Sequence, residues 1–394
     1  MKWTKNQFKT IQKPDAFQHF KPGLVDHIHR FHKTIPEYSP TPLYQLKALS
    51  AKLGIGKIYV KDESKRFGLN AFKALGATYT IAKHFAKQLS IDLSSTNFLN
   101  LIERVKSLPT TTFATTTDGN HGKGVAWAAS LFHQPARIFM PKGSASARLE
   151  AIRNLGAQAE MTDLNYDDTV KMVAKLAKEN GWVLVQDTAW EGYEEIPIHI
   201  MQGYLTIIGE IKEQLSKESF NQISHVILQA GVGSFPAAIA AAIYQISNDP
   251  PSFIIVEPEQ ANCFYQSAFH SSGLPQRVYG NLTTMMAGLA CGKPNPFAWA
   301  ILKSTSDFFF SCADKVSEKG MRVLGNPLKE DPRIIAGESG AVPLGLLYEL
   351  LSYNRWESIR SQLKLDLSSN ILVINTEGDT DPVNYRNIVW GHEE

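Results

Sequence analysis

TTFATTTDGNHGKGVAWAASLF (residues 111–132) is the stretch on which the fold turns. It reads as a buried strand over 111–117, a Gly/Asn-rich turn, and a helix over 122–132. The same alternation extends in both directions. Downstream, ARIFMP (136–141) is predicted as a strand and SARLEAIRNLG (146–156) as a helix that Gly156 is placed to stop. AQAEMT (157–162) follows as a short strand, DDTVKMVAKLAKENG (167–181) as a helix and WVLVQD (182–187) as a strand. Upstream, IGKIYVKD (55–62) reads as a strand and AFKALGATYTIAKHFAKQL (71–89) as a helix. Strands separated by helices of about ten to fifteen residues imply βαβ units and parallel sheets.

The pattern recurs after residue 220. HVILQAG (225–231) is a nearly all-apolar strand that leads into the helix FPAAIAAAIYQI (235–246). SFIIVEP (252–258) and NILVINTEG (370–378) are further buried strands, because a sheet covered on both faces needs continuous apolar runs. The expected architecture is α/β, with two doubly wound parallel-sheet domains. The larger takes 1–87 and 191–394 and is discontinuous; the smaller takes 88–190.

Composition narrows the class. The 394 residues are 43% hydrophobic and 20% charged, and 40 Lys+Arg against 38 Asp+Glu leave a net charge of +2 with the signs interleaved. That argues against a nucleic-acid surface. No apolar run approaches the length of a membrane span, and MKWTKNQFKT lacks the apolar core of a signal peptide, so a cytoplasmic location is expected. Cys263, Cys291 and Cys312 are too few and too scattered for a zinc site or disulfide framework, and no metal is expected.

Four constellations carry chemistry. Lys73, in GLNAFKALGA, has no acid three or four residues away on a helix and stands among Phe72, Ala74, Gly76 and Ala77. A crowded amine has a depressed pKa and forms a Schiff base with an aldehyde, although a lysine snorkelling from an apolar helix would look the same. TTTDGNHGKG (115–124) offers backbone N–H groups and hydroxyls at a helix N-terminus, suited to a carboxylate; a plain turn capped by Asp118 or Asn120 is the alternative. His121, between glycines, carries no signal of its own. QAGVGSF (229–235) lets the backbone close on a phosphate at another helix N-terminus, but it is neither a Walker A loop nor GxGxxG. NTEGDTD (375–381) is a polar strand end whose composition alone fits any turn.

In this order the four resemble the fold type II family of pyridoxal 5'-phosphate enzymes, over roughly residues 40–390. More narrowly, KDESKRFGLNAFKALG, TTDGNHGKGVAW, QDTAWEGYEEIP and NTEGDTDP resemble the diaminopropionate ammonia-lyases. Many members of the wider family have serine and arginine where Ala71 and Leu75 stand, serine in place of Asp118, and glycines in place of Val232 and Ser234. Those departures count against a threonine dehydratase.

The resemblance implies a carbon–nitrogen lyase acting between its two domains, as a homodimer, on an amino-acid substrate. The reaction is α,β-elimination of 2,3-diaminopropionate, D and L, to pyruvate and ammonia. Lys73 would hold pyridoxal phosphate, Gly231, Val232, Gly233 and Ser234 its phosphate, and Asn120 its ring hydroxyl. Asn375 or Thr376 would face the pyridine nitrogen, a neutral partner either way. Thr116, Thr117 and Gly119 would take the substrate carboxylate or its surroundings, and Asp187 the substrate's β-amino group. Because D- and L-substrates present their α-hydrogens to opposite faces, two bases are needed: Asp118 for the D-isomer and Lys73 for the L-isomer. A serine/threonine dehydratase of the same fold and a non-catalytic metabolite-binding protein are the alternatives. A disulfide between Cys263 and Cys291 is the alternative to free thiols.

Overall fold

The computed structural model of the chain describes residues 1–10 and 12–391. Its strands are β1 (Lys2–Lys5), β2 (Leu43–Gln45), β3 (Lys57–Asp62), β4 (Phe113–Thr116), β5 (Ala136–Met140), β6 (Gln158–Met161), β7 (Val183–Leu184), β8 (His225–Gln229), β9 (Ser252–Pro258), β10 (Ser306–Cys312) and β11 (Asn370–Asn375). They build a seven-stranded sheet, β1-β10-β9-β8-β11-β3-β2, and a four-stranded sheet, β6-β5-β4-β7. The chain divides into two compact units. One comprises residues 1–22, 41–65 and everything from 207 onward; the other comprises 23–40 and 66–206.

The first unit holds the seven-stranded sheet. Its five inner strands run parallel. All five residues of β8 are buried, as an apolar run covered on both faces requires. Ile58 and Val60, Ile254 and Val256, Phe308 and Phe310, and Ile371 and Val373 pack in one core, each pair two residues apart and so on one face of its strand. Each such side chain contributes about 1.5–3 kcal/mol by burial. The edges depart from the expected all-parallel sheet: β1 pairs antiparallel with β10 and β2 antiparallel with β3. An edge strand needs no crossover connection, so a three- or four-residue antiparallel segment suffices there.

The second unit holds the four-stranded sheet, which is parallel throughout. Phe85, on the helix Ala74–Gln88, packs edge-on against Phe113 of β4 and tilted against Phe132, with ring centroids 5.8 and 5.5 Å away. Phe98 reaches the same Phe132 at 5.2 Å. Phe85 thus ties a helix that begins before residue 88 to this sheet, and the compact unit, 23–40 and 66–206, is wider than the domain expected from sequence. The helix expected over 71–89 begins only at Ala74, and Lys73 stands just before its first turn with its carbonyl accepting the Ala77 N–H. Among the described residues, no helix is long and apolar enough to cross a membrane.

Candidate active site

In the second unit the functional side chains gather at the C-terminal end of β4. The turn 117–119 leads into the helix Asn120–Leu131, and Thr117 caps it: its Oγ1 accepts the N–H groups of Gly119 and Gly122, both at 2.9 Å. Thr117, expected to meet substrate, therefore holds the loop together. Gly119 sits at φ +149°, and a Cβ there would lie 2.8 Å from Arg148 Cδ, so only glycine lets the arginine close over the turn. Asp118 does not cap the helix, and among the described residues its carboxylate makes no hydrogen bond. Protein surrounds it on most sides, and burial pushes its carboxyl up to about 6, against the pull of Arg148 and with a further push from Asp187.

Lys73 and Asp187 meet here although 114 residues separate them. Lys73 Nζ donates to Asp187 Oδ2 at 2.6 Å, and their side chains are only 19% and 9% exposed. Burial by itself would raise the Asp187 carboxyl; the Lys73 ammonium, which also donates a hydrogen bond to it, overcomes that and holds it down at about 2. Lys73 Nζ also lies 5.7 Å from the centroid of the Phe72 ring, which packs tilted against Tyr204.

Sequence reasoning missed His121. Its ring is buried, Nε2 bonds to the Val185 carbonyl at 2.7 Å, and Nδ1 lies 3.9 Å from Asp187 Oδ2. Burial lowers its pKa. Gln186 was also missed: its side chain pairs with the Thr116 backbone at 3.1 and 3.2 Å, binding the β7 end to the β4 end. Thr116 Oγ1 itself is buried with no hydrogen-bond partner among the described residues, as a group awaiting a ligand would be. Asn120 is the first residue of the helix and half-buried.

In the first unit, Gly231, Val232, Gly233 and Ser234 form the turn between β8 and the helix Ser234–Ile246. Gly233 has φ +92°, and a Cβ there would fall 2.1 Å from Phe264 Cζ. Among the described residues, the N–H groups of Gly231, Val232 and Gly233 find no acceptor. Open N–H groups at the start of a 13-residue helix form a cradle suited to a phosphate. Asn295, missed in the sequence, fixes the turn: its N–H donates to the Val232 carbonyl at 2.9 Å and its Nδ2 to Ser234 Oγ at 3.0 Å.

At the end of β11, Asn375 and Thr376 turn opposite ways. Asn375 Nδ2 donates to Asp62 Oδ1 at 2.8 Å and to the Ile335 carbonyl at 3.2 Å. Thr376 Oγ1 accepts Gln229 Nε2 at 2.8 Å, at the residue that ends β8 and opens the phosphate turn. Cys263, Cys291 and Cys312 are free thiols. Burial, with Glu257 beside it, pushes the Cys263 thiol well up, which makes it a poor nucleophile.

The pyridoxal-phosphate dependent enzyme family model matches residues 35–359. Diaminopropionate ammonia-lyase of Salmonella typhimurium is 48% identical over 373 residues, covering 93% of this chain and 92% of that protein. The crystal structure of Escherichia coli diaminopropionate ammonia-lyase with an aminoacrylate-PLP azomethine reaction intermediate matches with a TM-score of 0.90 and 46% identity, over 99% of this chain and 96% of that one. The same enzyme in complex with D-serine matches with a TM-score of 0.90 and 45% identity, over the same shares.

Proposed function

Because this chain belongs to the pyridoxal-phosphate dependent enzymes, and within them to the diaminopropionate ammonia-lyases, we propose that it converts 2,3-diaminopropionate, D and L, to pyruvate and two ammonia molecules. The Cβ–N bond breaks, one ammonia leaves with the bonding pair, and hydrolysis of the remaining enamine releases the second.

The observation that carries this reading is the Lys73–Asp187 pair. A buried carboxylate stripped of its cation is strongly destabilised. Once Lys73 is committed to the cofactor, Asp187 needs another cation, and the β-ammonium of a diamino acid supplies one where the hydroxyl of serine does not. Pyridoxal phosphate, when bound, is the sink for the electron pair left when the α-C–H bond breaks.

The chain's own groups do the rest. Lys73 anchors the cofactor, the open N–H groups of Gly231, Val232 and Gly233 with Ser234 hold its phosphate, and Asn120 takes its ring hydroxyl. Of Asn375 and Thr376, the threonine is the better partner for the pyridine nitrogen. Its oxygen already accepts from Gln229, which leaves its proton to donate, whereas the Asn375 amide donates toward Asp62. Thr116 Oγ1 and the Gly119 turn receive the substrate carboxylate, with Thr117 holding that turn in shape. Lys73 Nζ accepts the α-proton of the L-isomer. The Asp118 carboxylate, neither capping nor hydrogen-bonded, accepts that of the D-isomer.

The enzyme is further read as a cytoplasmic homodimer, testable by light scattering at twice the chain mass of 43.8 kDa. The test of function is pyruvate release from both enantiomers of diaminopropionate, serine and threonine. A preference for serine or threonine would overturn the assignment in favour of a dehydratase.

A further inference from the structure

Three facts about His121 are left over once Lys73, Asp118 and Asp187 have their roles. Its Nε2 lies 2.7 Å from the Val185 carbonyl, an atom that only accepts, so Nε2 carries the proton. In the neutral ring Nδ1 is then a bare lone pair, and it is buried with no hydrogen-bond partner among the described residues. That lone pair lies 3.9 Å from Asp187 Oδ2, too far to bond and close enough to repel. Two acceptors facing one small volume repel unless a donor joins them, and a cationic donor does so most strongly.

A cation of the required kind already touches one of them. Lys73 Nζ, a primary alkylammonium, sits 2.6 Å from the same Oδ2. An ammonium has three N–H donors and needs more than one acceptor to leave water without loss.

We propose that His121 Nδ1 is the second acceptor for the substrate's β-ammonium, beside Asp187 Oδ2, and that the two acceptors together select a diamino acid. The inference rests on the assignment of diaminopropionate as substrate. A carboxylate alone attracts any donor, including the hydroxyl of serine. A carboxylate and a neutral lone pair together suit a group that only donates, since a hydroxyl has one proton for two acceptors. Keeping the amine as an ammonium also suits the reaction: when the Cβ–N bond breaks, nitrogen takes the bonding pair and departs as neutral ammonia with no further proton needed. Burial keeps the imidazole neutral and so preserves the lone pair.

Two substitutions separate this role from a structural one. His121→Gln places an amide donor near the Nε2 position and removes the acceptor near Nδ1. His121→Asn does the reverse, keeping an acceptor near Nδ1 and abandoning Val185. Each variant, loaded with cofactor, is assayed on L-diaminopropionate and on L-β-chloroalanine, whose leaving group has no N–H. A lost hydrogen bond to a charged group corresponds to about a tenfold to hundredfold change. The ratio of kcat/KM for diaminopropionate over β-chloroalanine is expected to fall by that factor in His121→Gln, mainly through KM, and to hold within about threefold in His121→Asn. Equal losses on both substrates in His121→Gln, or a collapsed ratio in His121→Asn, would overturn the proposal. Should His121→Gln not fold, His121→Asn decides alone. Wild-type enzyme that ignores diaminopropionate would instead overturn the functional assignment itself.

Discussion

The turn after β4 and the first residues of the helix it opens carry Asp118 and His121 close to Lys73 and Asp187, whereas the chain from Gln229 to Ile246 after β8 has no charged residue. Both take a buried parallel strand into a helix. In the first, titratable side chains do the work and one extra hydroxyl, on Thr117, holds the loop in shape. In the second, backbone N–H groups do the work and side chains such as Phe264 and Asn295 only set the shape. Under the proposed roles, substrate choice is written in exchangeable groups and cofactor choice in geometry. Substitutions after β4 should alter turnover with cofactor binding intact; substitutions after β8 should do the reverse.

The sharpest break should come from Asp118→Asn. Removing a general base reduces rate by about 10²–10⁴, so D-diaminopropionate turnover should fall by that factor while the L-isomer stays within about threefold, measured as kcat/KM on each enantiomer. Parallel losses would remove the two-base reading. The same carboxyl, raised to about 6, must be ionised to act. Activity on the D-isomer should be full above that pH and decline about tenfold per unit below it, and a pH–rate profile for the L-isomer should lack this limb.

Asp187→Asn should lower kcat/KM for diaminopropionate by about tenfold to a hundredfold, more than for serine, because a neutral amide neither attracts the β-ammonium nor pairs with Lys73. Losses equal on both substrates would show Asp187 to be only a partner of the lysine. On the other side of the comparison, Gly233→Ala forces a methyl toward Phe264 at a left-handed residue. Overpacking there should cost about 1–3 kcal/mol of stability and weaken cofactor binding about tenfold or more, read by thermal melting and by fluorescence titration with pyridoxal phosphate. The smallest effect is that of Thr117→Ala, which removes a helix cap and should cost about 1 kcal/mol, while Thr117→Ser retains it.

What was legible in the chain follows from the same contrast. The inner strands could be read because a strand covered on both faces needs an unbroken apolar run, as HVILQ shows. Short edge strands carry no such demand: KWTK and LYQ have no period to detect. SDFFFSC is hard to read as a strand although it is nearly all buried, since no glycine turn sets it off from the helix Pro296–Thr305 before it. Asp118 and Asp187 could be found by their motifs. The pairing of Asp187 with Lys73 could not, because it joins groups 114 residues apart and no spacing along the chain encodes it. His121, in Gly-Asn-His-Gly, carries no signal along the chain, and only its approach to Asp187 in space gives it meaning. Asn295 and Gln229 were invisible for a similar reason, as polar groups whose partners lie on distant loops.

The pairing of β1 with β10 bears on how the protein is made. Phe308, Phe309 and Phe310 form the kind of short, aromatic, weakly charged segment that assembles into cross-β aggregates, and β1 occupies the edge through which they would do so. Asp307 is the one charge inside the segment, and Lys9 binds it at 2.7 Å. Asn6 reaches across 300 residues to Ser306, so on the ribosome the cover is finished long before what it covers. At about 5–20 residues per second, β1 waits roughly 15–60 s for β10 to emerge. The nascent chain thus keeps its own guard in reserve, and the most adhesive strand of the sheet meets it on arrival.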